Sequence, residues 1–257
     1  MAITGFMDLK GRVALVTGGG RGLGRAIALG LAQCGANVVV GSRSAADSER
    51  TASLVRELGG SALACPVDVA NRPACESFVS AAIREFGSVD VMVCNAGICV
   101  PVSSFATDDS TLQQTFAIDV MGIFYSAVAA AKHMEQQSDG GAIIMMSSTA
   151  AVRSFEGLAC YGAAKAAVNQ LVQSLAVEWG PKKIRVNAIA PGWTTNTMKG
   201  NESLVDEKTT KQAVQRTPLG RFAEPNEIVG PVLFLASSVS SYITGITLTV
   251  DGGYLST

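Results

Sequence analysis

The sequence predicts a doubly wound α/β fold, a single parallel sheet of about seven strands with helices on both faces. Three observations carry this. Strand-like apolar runs alternate with helix-period segments along the whole chain. A glycine-rich turn joins the first run to the first helical segment. No repeat, low-complexity tract or long linker divides residues 1–257, and that length is ample for one domain.

The first strand is read over 13–17 (Val13-Ala14-Leu15-Val16-Thr17), and its helix over 21–33, where apolar residues fall at helical spacing. A second strand over 37–41 leads to a helix over 44–58. Strand 62–67 and helix 72–86 repeat the unit, followed by strand 89–94 and a long helical segment over 108–137. Strand 142–147 precedes helix 158–179, and strand 184–189 precedes the one break in the rhythm. That break, 194–221, is polar and charged (Glu202, Asp206, Glu207, Lys208, Lys211), which predicts a short exposed helix. Helix 224–236 and strand 246–250 complete the alternation. A nucleotide is expected across the carboxyl ends of the strands, near the point where strand order reverses.

Two motifs carry chemistry. In Gly18-Gly19-Gly20-Arg21-Gly22-Leu23-Gly24, glycines permit a tight turn and let backbone amides approach a pyrophosphate. The helix N-terminus that follows favours that charge electrostatically. Further on, Tyr161 and Lys165 stand at i and i+4 on one helix face, with Ser148 thirteen residues upstream. An adjacent ammonium favours phenolate and lowers a tyrosine pKa from its ordinary value of about 10. Tyr161 is thereby suited to acid/base work near neutral pH, and the serine hydroxyl can bind the same substrate oxygen. On its own, Tyr-x3-Lys is usually a surface pair; the glycine turn is what gives it weight.

Together these residues make the chain resemble the short-chain dehydrogenase/reductase family, classical type, over nearly its whole length. Thr17-Gly18-x-x-x-Gly22-x-Gly24 matches that family's cofactor turn, and Asp68-Val69 its adenine contact. Asn95-Ala96-Gly97 matches the motif after its fourth strand, and Pro191-Gly192 the turn beside its nicotinamide. Ser148, Tyr161 and Lys165 match its catalytic residues. The resemblance implies a Rossmann-type sheet and hydride transfer between a nicotinamide cofactor and a carbonyl or secondary alcohol. It implies that Ser148 polarises the carbonyl, Tyr161 exchanges the proton, and Lys165 lowers the tyrosine pKa and holds the nicotinamide ribose. Asn95 is expected near the adenosine ribose, Asp68 at the adenine, and Thr194 at the carboxamide. The alternatives are that Asp68 only caps a turn and Asn95 only holds a loop. By the same resemblance, 194–221 is a substrate lid. Helices 108–137 and 158–179 then pack between the subunits of a homotetramer, where small residues such as Ala127, Ala129, Ala130, Ala163, Ala166 and Ala167 permit close approach.

The chain departs from the family's pattern at two places. Asp119 stands where an asparagine usually anchors a water leading to the lysine. A carboxylate near Lys165 would stabilise the ammonium and offset its pull on Tyr161; the alternative is a helix residue satisfied by local amides. Asn196 stands where threonine is usual, flanked by Thr194, Thr195 and Thr197.

The cofactor is expected to be NADP(H). An acid after the second strand would bind the ribose 2′-hydroxyl of NAD and repel a 2′-phosphate. The chain has Ser42 and then Arg43 there, and Arg21 inside the glycine turn. Arginine offers a planar fork suited to phosphate.

Composition narrows the function. A formal net charge of -1 gives no electrostatic footprint for nucleic acid or an anionic membrane. No apolar stretch is read as approaching the ~18 residues of a membrane span, and the N-terminus lacks the pattern of a signal peptide. A cytoplasmic protein is expected. Six cysteines show no metal-ligand spacing and are read as reduced, mostly core residues, with Cys160 a candidate pocket residue. The sole histidine, His133, is placed near a helix C-terminus, so no metal site is expected. Within the class, a 3-oxoacyl thioester reductase and a sugar or polyol dehydrogenase stay open. Arg153, Phe155 and Glu156 either select substrate or are solvated loop residues. Outside the class, the alternative is a catalytically silent nucleotide-sensing protein.

Overall fold

The computed structural model describes residues 7–195 and 206–257. Asn196, Thr197 and Glu202 lie outside the described residues. Seven parallel strands run in the order β3-β2-β1-β4-β5-β6-β7. They are β1 (Val13–Thr17), β2 (Asn37–Ser42), β3 (Ala62–Pro66), β4 (Val91–Cys94), β5 (Gly141–Met146), β6 (Ile184–Pro191) and β7 (Thr247–Val250). Strand order reverses between β1 and β4, which opens a crevice at their carboxyl ends.

Alternate side chains of each central strand feed two separate cores, as burial on both faces requires. Val13 and Leu15 of β1, with Ile143 and Met145 of β5, pack beneath α3 (Arg72–Phe86), α5 (Ile123–Met134) and α6 (Ala159–Trp179). Ala14 and Val16, with Ala142 and Ile144, pack beneath α1 (Gly22–Gln33), α2 (Ala45–Glu57) and α8 (Pro225–Ala236). Helix starts follow local chemistry. Ser44 Oγ accepts the Asp47 amide at the head of α2, and Asn71 caps α3 ahead of Pro73. The polar segment supplies the short helix expected there, α7 (Glu207–Arg216), capped by Asp206.

Two expectations need correction. The segment 108–137 is not one regular helix. It divides into α4 (Asp109–Phe116), a π turn over Ala117–Gly122, and α5. Taken through that turn, Asp109–Met134 is long and apolar enough by length and composition to cross a membrane, contrary to the sequence reading. Yet 56% of its apolar window is buried inside the fold. Secondly, Ala127, Ala129 and Ala130 belong to the subunit's own core, so they offer no surface to a neighbour. Ala163 and Ala166 on α6 are exposed, as is Val177.

Candidate active site

A cleft of about 500 Å³ runs across the strand ends from the glycine turn to Tyr161. It is lined by all the predicted site residues except Gly22 and Asp119. Gly22 shapes the turn from within, at φ 52°, with Gly18 at φ 66°. A Cβ on Gly24 would fall 2.2 Å from the Gly18 carbonyl oxygen, so no side chain is tolerated where the helix begins. Arg21 caps α1 without a side-chain bond and no acid occupies the first turn, so this helix end presents its amides and positive dipole.

Asn95 braces that turn. Its Nδ2 donates to the carbonyls of Thr17 at 3.0 Å and Gly18 at 3.3 Å. Thr17 Oγ1 in turn accepts the amides of Asn95 and Ala96. The bracing role weighed as the alternative for Asn95 is therefore real. Asp68 likewise caps its own loop by accepting the Ala70 amide at 3.1 Å, while lining the cleft.

Arg21, Ser42 and Arg43 gather at one end of the cleft, and neither arginine has a carboxylate partner among the described residues. The sequence reading missed Asp47, which lines the same end from the first turn of α2. Its one local mark in the sequence is its place three residues after the Ser44 cap, and the fold sets it against Gly20 of the glycine turn.

Tyr161 and Lys165 occupy consecutive turns of α6 and are buried, with Lys165 Nζ 5.5 Å from the phenol ring centroid. Lys165 Nζ lies 3.0 Å from Asp119 Oδ1 and donates to the Met146 carbonyl at 3.0 Å. The Ile98 amide also donates to Asp119, at 3.2 Å from Oδ2. Gly97 makes room for the pair, since a Cβ there would meet Asp119 Oδ1 at 2.5 Å. Ser148 Oγ accepts the Ala150 amide at 3.1 Å, and its hydroxyl also interacts with the Tyr161 phenol, where it opposes the rise in the phenol pKa. The Met146 carbonyl had no sequence signal, because a backbone acceptor is available at any residue type.

Burial pushes the Tyr161 phenol above its ordinary pKa; Lys165 opposes this, while Cys99 and Asp119 reinforce it. The expectation that the adjacent ammonium lowers the phenol pKa toward neutral pH thus needs correction, because desolvation outweighs the cation. Burial by itself would lower the Lys165 pKa. The charge of Asp119, the phenol and the direct hydrogen bond to Asp119 instead carry it above the ordinary lysine value.

Beside Tyr161 the wall is apolar: Cys99, Ala150, Phe155 and Leu158 pack on it, and Trp193 closes on Phe155 edge-on at 5.7 Å. Burial pushes the Cys99 thiol up to about 12. Cys99, not Cys160, is the cysteine in the cleft. Phe155 lines the cleft, whereas Glu156 is exposed and Arg153 turns to the carbonyls of Tyr254 and Thr257. His133 lies in the last turn of α5, where its placement was expected. The cradle of glycines and free helix amides at one end, and the Ser148, Tyr161 and Lys165 group at the other, fit a nicotinamide dinucleotide.

Residues 18–255 match the family model described as Enoyl-(Acyl carrier protein) reductase. The chain is 41% identical over 253 residues to an L-rhamnose 1-dehydrogenase (NAD(P)(+)) of Azotobacter vinelandii, covering 96% of this chain and 98% of that one. It is 35% identical over 260 residues to the 2-dehydro-3-deoxy-D-gluconate 5-dehydrogenase of Escherichia coli, covering 99% of each. Among solved structures, a gluconate 5-dehydrogenase from Burkholderia cenocepacia in complex with NADP and tartrate superposes with a TM-score of 0.95. That match is at 32% identity and covers 100% of both chains.

Proposed function

Because the chain belongs to the short-chain dehydrogenase/reductase family, we propose that it interconverts a carbonyl and a secondary alcohol with NADP(H), using Tyr161 as general acid/base. It is an oxidoreductase of alcohol and carbonyl groups that draws on NAD(P)(H). The observation that carries the residue assignment is the placement of Ser148, Tyr161 and Lys165 on one wall of a cleft whose far end is the glycine turn.

The cofactor, when bound, supplies or accepts hydride at its nicotinamide ring. Ser148 donates a hydrogen bond to the substrate oxygen and holds it beside the phenol. In reduction Tyr161 gives that oxygen its proton, and a phenol kept neutral by burial is the form this needs. In oxidation Tyr161 must take a proton, so the phenolate is required and the rate should climb with pH. Lys165 keeps its charge through Asp119, stabilises the phenolate when it forms, and can turn its third N–H to the nicotinamide ribose. General acid catalysis of this kind contributes about 10²–10⁴-fold.

Preference for the 2′-phosphate rests on Arg21 and Arg43, which line the same end of the cleft as one carboxylate, Asp47. Three intact groups at the catalytic end favour turnover over a nucleotide sensor. Six free cysteines fit a reducing cytoplasm. A homotetramer is the family's arrangement, and the exposed Ala163, Ala166 and Val177 of α6 offer a close-packing face for it. The direct test is loss of NADPH absorbance at about 340 nm with a panel of ketones. Turnover in the unmodified protein and its loss in Tyr161→Phe is the expected result.

A further inference from the structure

We infer that the substrate is a neutral carbonyl compound or alcohol with an apolar flank and a second acceptor oxygen, not a carboxylate-bearing sugar acid; this rests on the activity proposed above. Charge at the catalytic end is already paired. Lys165, the one cation of the cleft near Tyr161 among the described residues, is held by Asp119 at 3.0 Å and by the Met146 carbonyl at 3.0 Å. The other cations of the cleft, Arg21 and Arg43, stand at the glycine turn and the end of β2. Arg153, the nearest candidate in sequence, is turned away. Its Nη1 donates to the carbonyls of Tyr254 and Thr257 at 3.0 and 2.6 Å, and its guanidinium packs 5.0 Å above the Tyr254 ring. A substrate carboxylate beside Tyr161 would therefore be desolvated without a described cation, a strongly unfavourable arrangement.

Beyond Ser148 and Tyr161, the wall offers apolar surface and the indole donor of Trp193. Cys99, Ala150, Phe155 and Leu158 pack around Tyr161. Trp193 sits between Phe155, edge-on at 5.7 Å, and Phe222, stacked at 5.5 Å. Its indole Nε1 is buried without a hydrogen-bond partner among the described residues, although Trp193 lines the cleft. A buried unpaired donor is costly to leave unmade, and a substrate oxygen next to an apolar group satisfies it. The aromatic wall sits against the rest of the substrate, where a carbon skeleton gains most from burial.

The test compares pairs in which a carboxylate is replaced by a neutral oxygen-bearing group: acetoacetate against ethyl acetoacetate, and pyruvate against acetoin. Steady-state kcat/KM is measured for each, and binding is measured separately by tryptophan fluorescence in the presence of NADP+, which does not depend on turnover. The neutral member is expected to win by about tenfold or more in both readouts. The fluorescence response should disappear in Trp193→Phe. That variant keeps an aromatic ring and loses the donor, so it should raise KM for acetoin several-fold more than KM for 2-butanone, which has no second oxygen to lose its partner. Phe155→Arg, which places a cation on the wall, should narrow the gap between acid and ester. Acids that bind and react as well as their neutral partners would overturn the inference and leave the activity standing. Discrimination in binding with turnover of neither member would overturn the activity and leave the inference standing. A failure of every pair to bind would overturn the inference.

Discussion

Asp119 Oδ1 lies 3.0 Å from Lys165 Nζ, and neither side chain is more than 3% exposed. The carboxylate thus shares the ammonium with the Tyr161 phenol, and a buried pair of this kind makes each partner depend on the other. Removing one charge from such a pair leaves the other uncompensated in a low dielectric.

The pH dependence of stability follows from the same pair. Burial and Asp119 raise the Tyr161 pKa, and Asp119 carries the Lys165 pKa above its ordinary value despite burial. A raised folded-state pKa contributes stability that is fully present below the unfolded values of about 10 and 10.4. That contribution is lost as pH rises through the folded values. Urea unfolding should therefore give a midpoint that is insensitive to these groups up to about pH 10 and falls above it. In Asp119→Asn the loss should be shallower. An equally steep alkaline fall in both proteins would show that the pair does not hold the lysine charge.

Catalysis should need the Tyr161 hydroxyl and no metal. Tyr161→Phe is expected to keep the fold and cofactor binding while losing at least ~10²-fold in kcat. Prolonged EDTA treatment should leave the unmodified enzyme's rate unchanged. Near-full turnover by Tyr161→Phe would remove the phenol from the mechanism.

Cofactor choice should turn on the arginines at the glycine-turn end. Arg43→Ala is expected to weaken NADPH binding by roughly the 1.5–3 kcal/mol of a charge-assisted hydrogen bond and to spare NADH. Asp47 lines the same end, so Asp47→Asn should shift the ratio further toward NADPH. Isothermal titration of both cofactors reads this directly. Tighter NADH binding by the unmodified protein would contradict the assignment.

Much of this was legible in the sequence because it depends on local pattern. The alternation of apolar runs and helical periods placed all seven strands, since both faces of a parallel sheet must be buried. The glycine turn was readable because only glycine adopts φ near 60° without strain at Gly18 and Gly22. The π turn at Ala117–Gly122 was not. It matches no residue period, and it lies where Asp119 meets Lys165 and the Ile98 amide. The rise in the Tyr161 pKa was equally hidden. Spacing reveals that a cation is near, whereas desolvation depends on how deeply tertiary packing buries the phenol. Asp47 escaped notice because its role depends on where α2 begins relative to β1, a distance that no one-dimensional pattern encodes.

Self-association should follow the exposed face of α6. The unmodified protein is expected to scatter light as a tetramer at micromolar concentration, and Ala166→Arg should lower that mass by crowding a close helix contact with a charge. A monomeric mass for the unmodified protein would count against the homotetramer.

The most direct test of the central claim, that Asp119 holds the Lys165 charge and thereby tempers its pull on Tyr161, is the pH profile of kcat for alcohol oxidation in the unmodified protein and in Asp119→Asn. Loss of the carboxylate removes one influence that raises the phenol pKa. The account predicts that Asp119→Asn keeps its turnover and that its alkaline rise moves to lower pH. Superimposable profiles would contradict it.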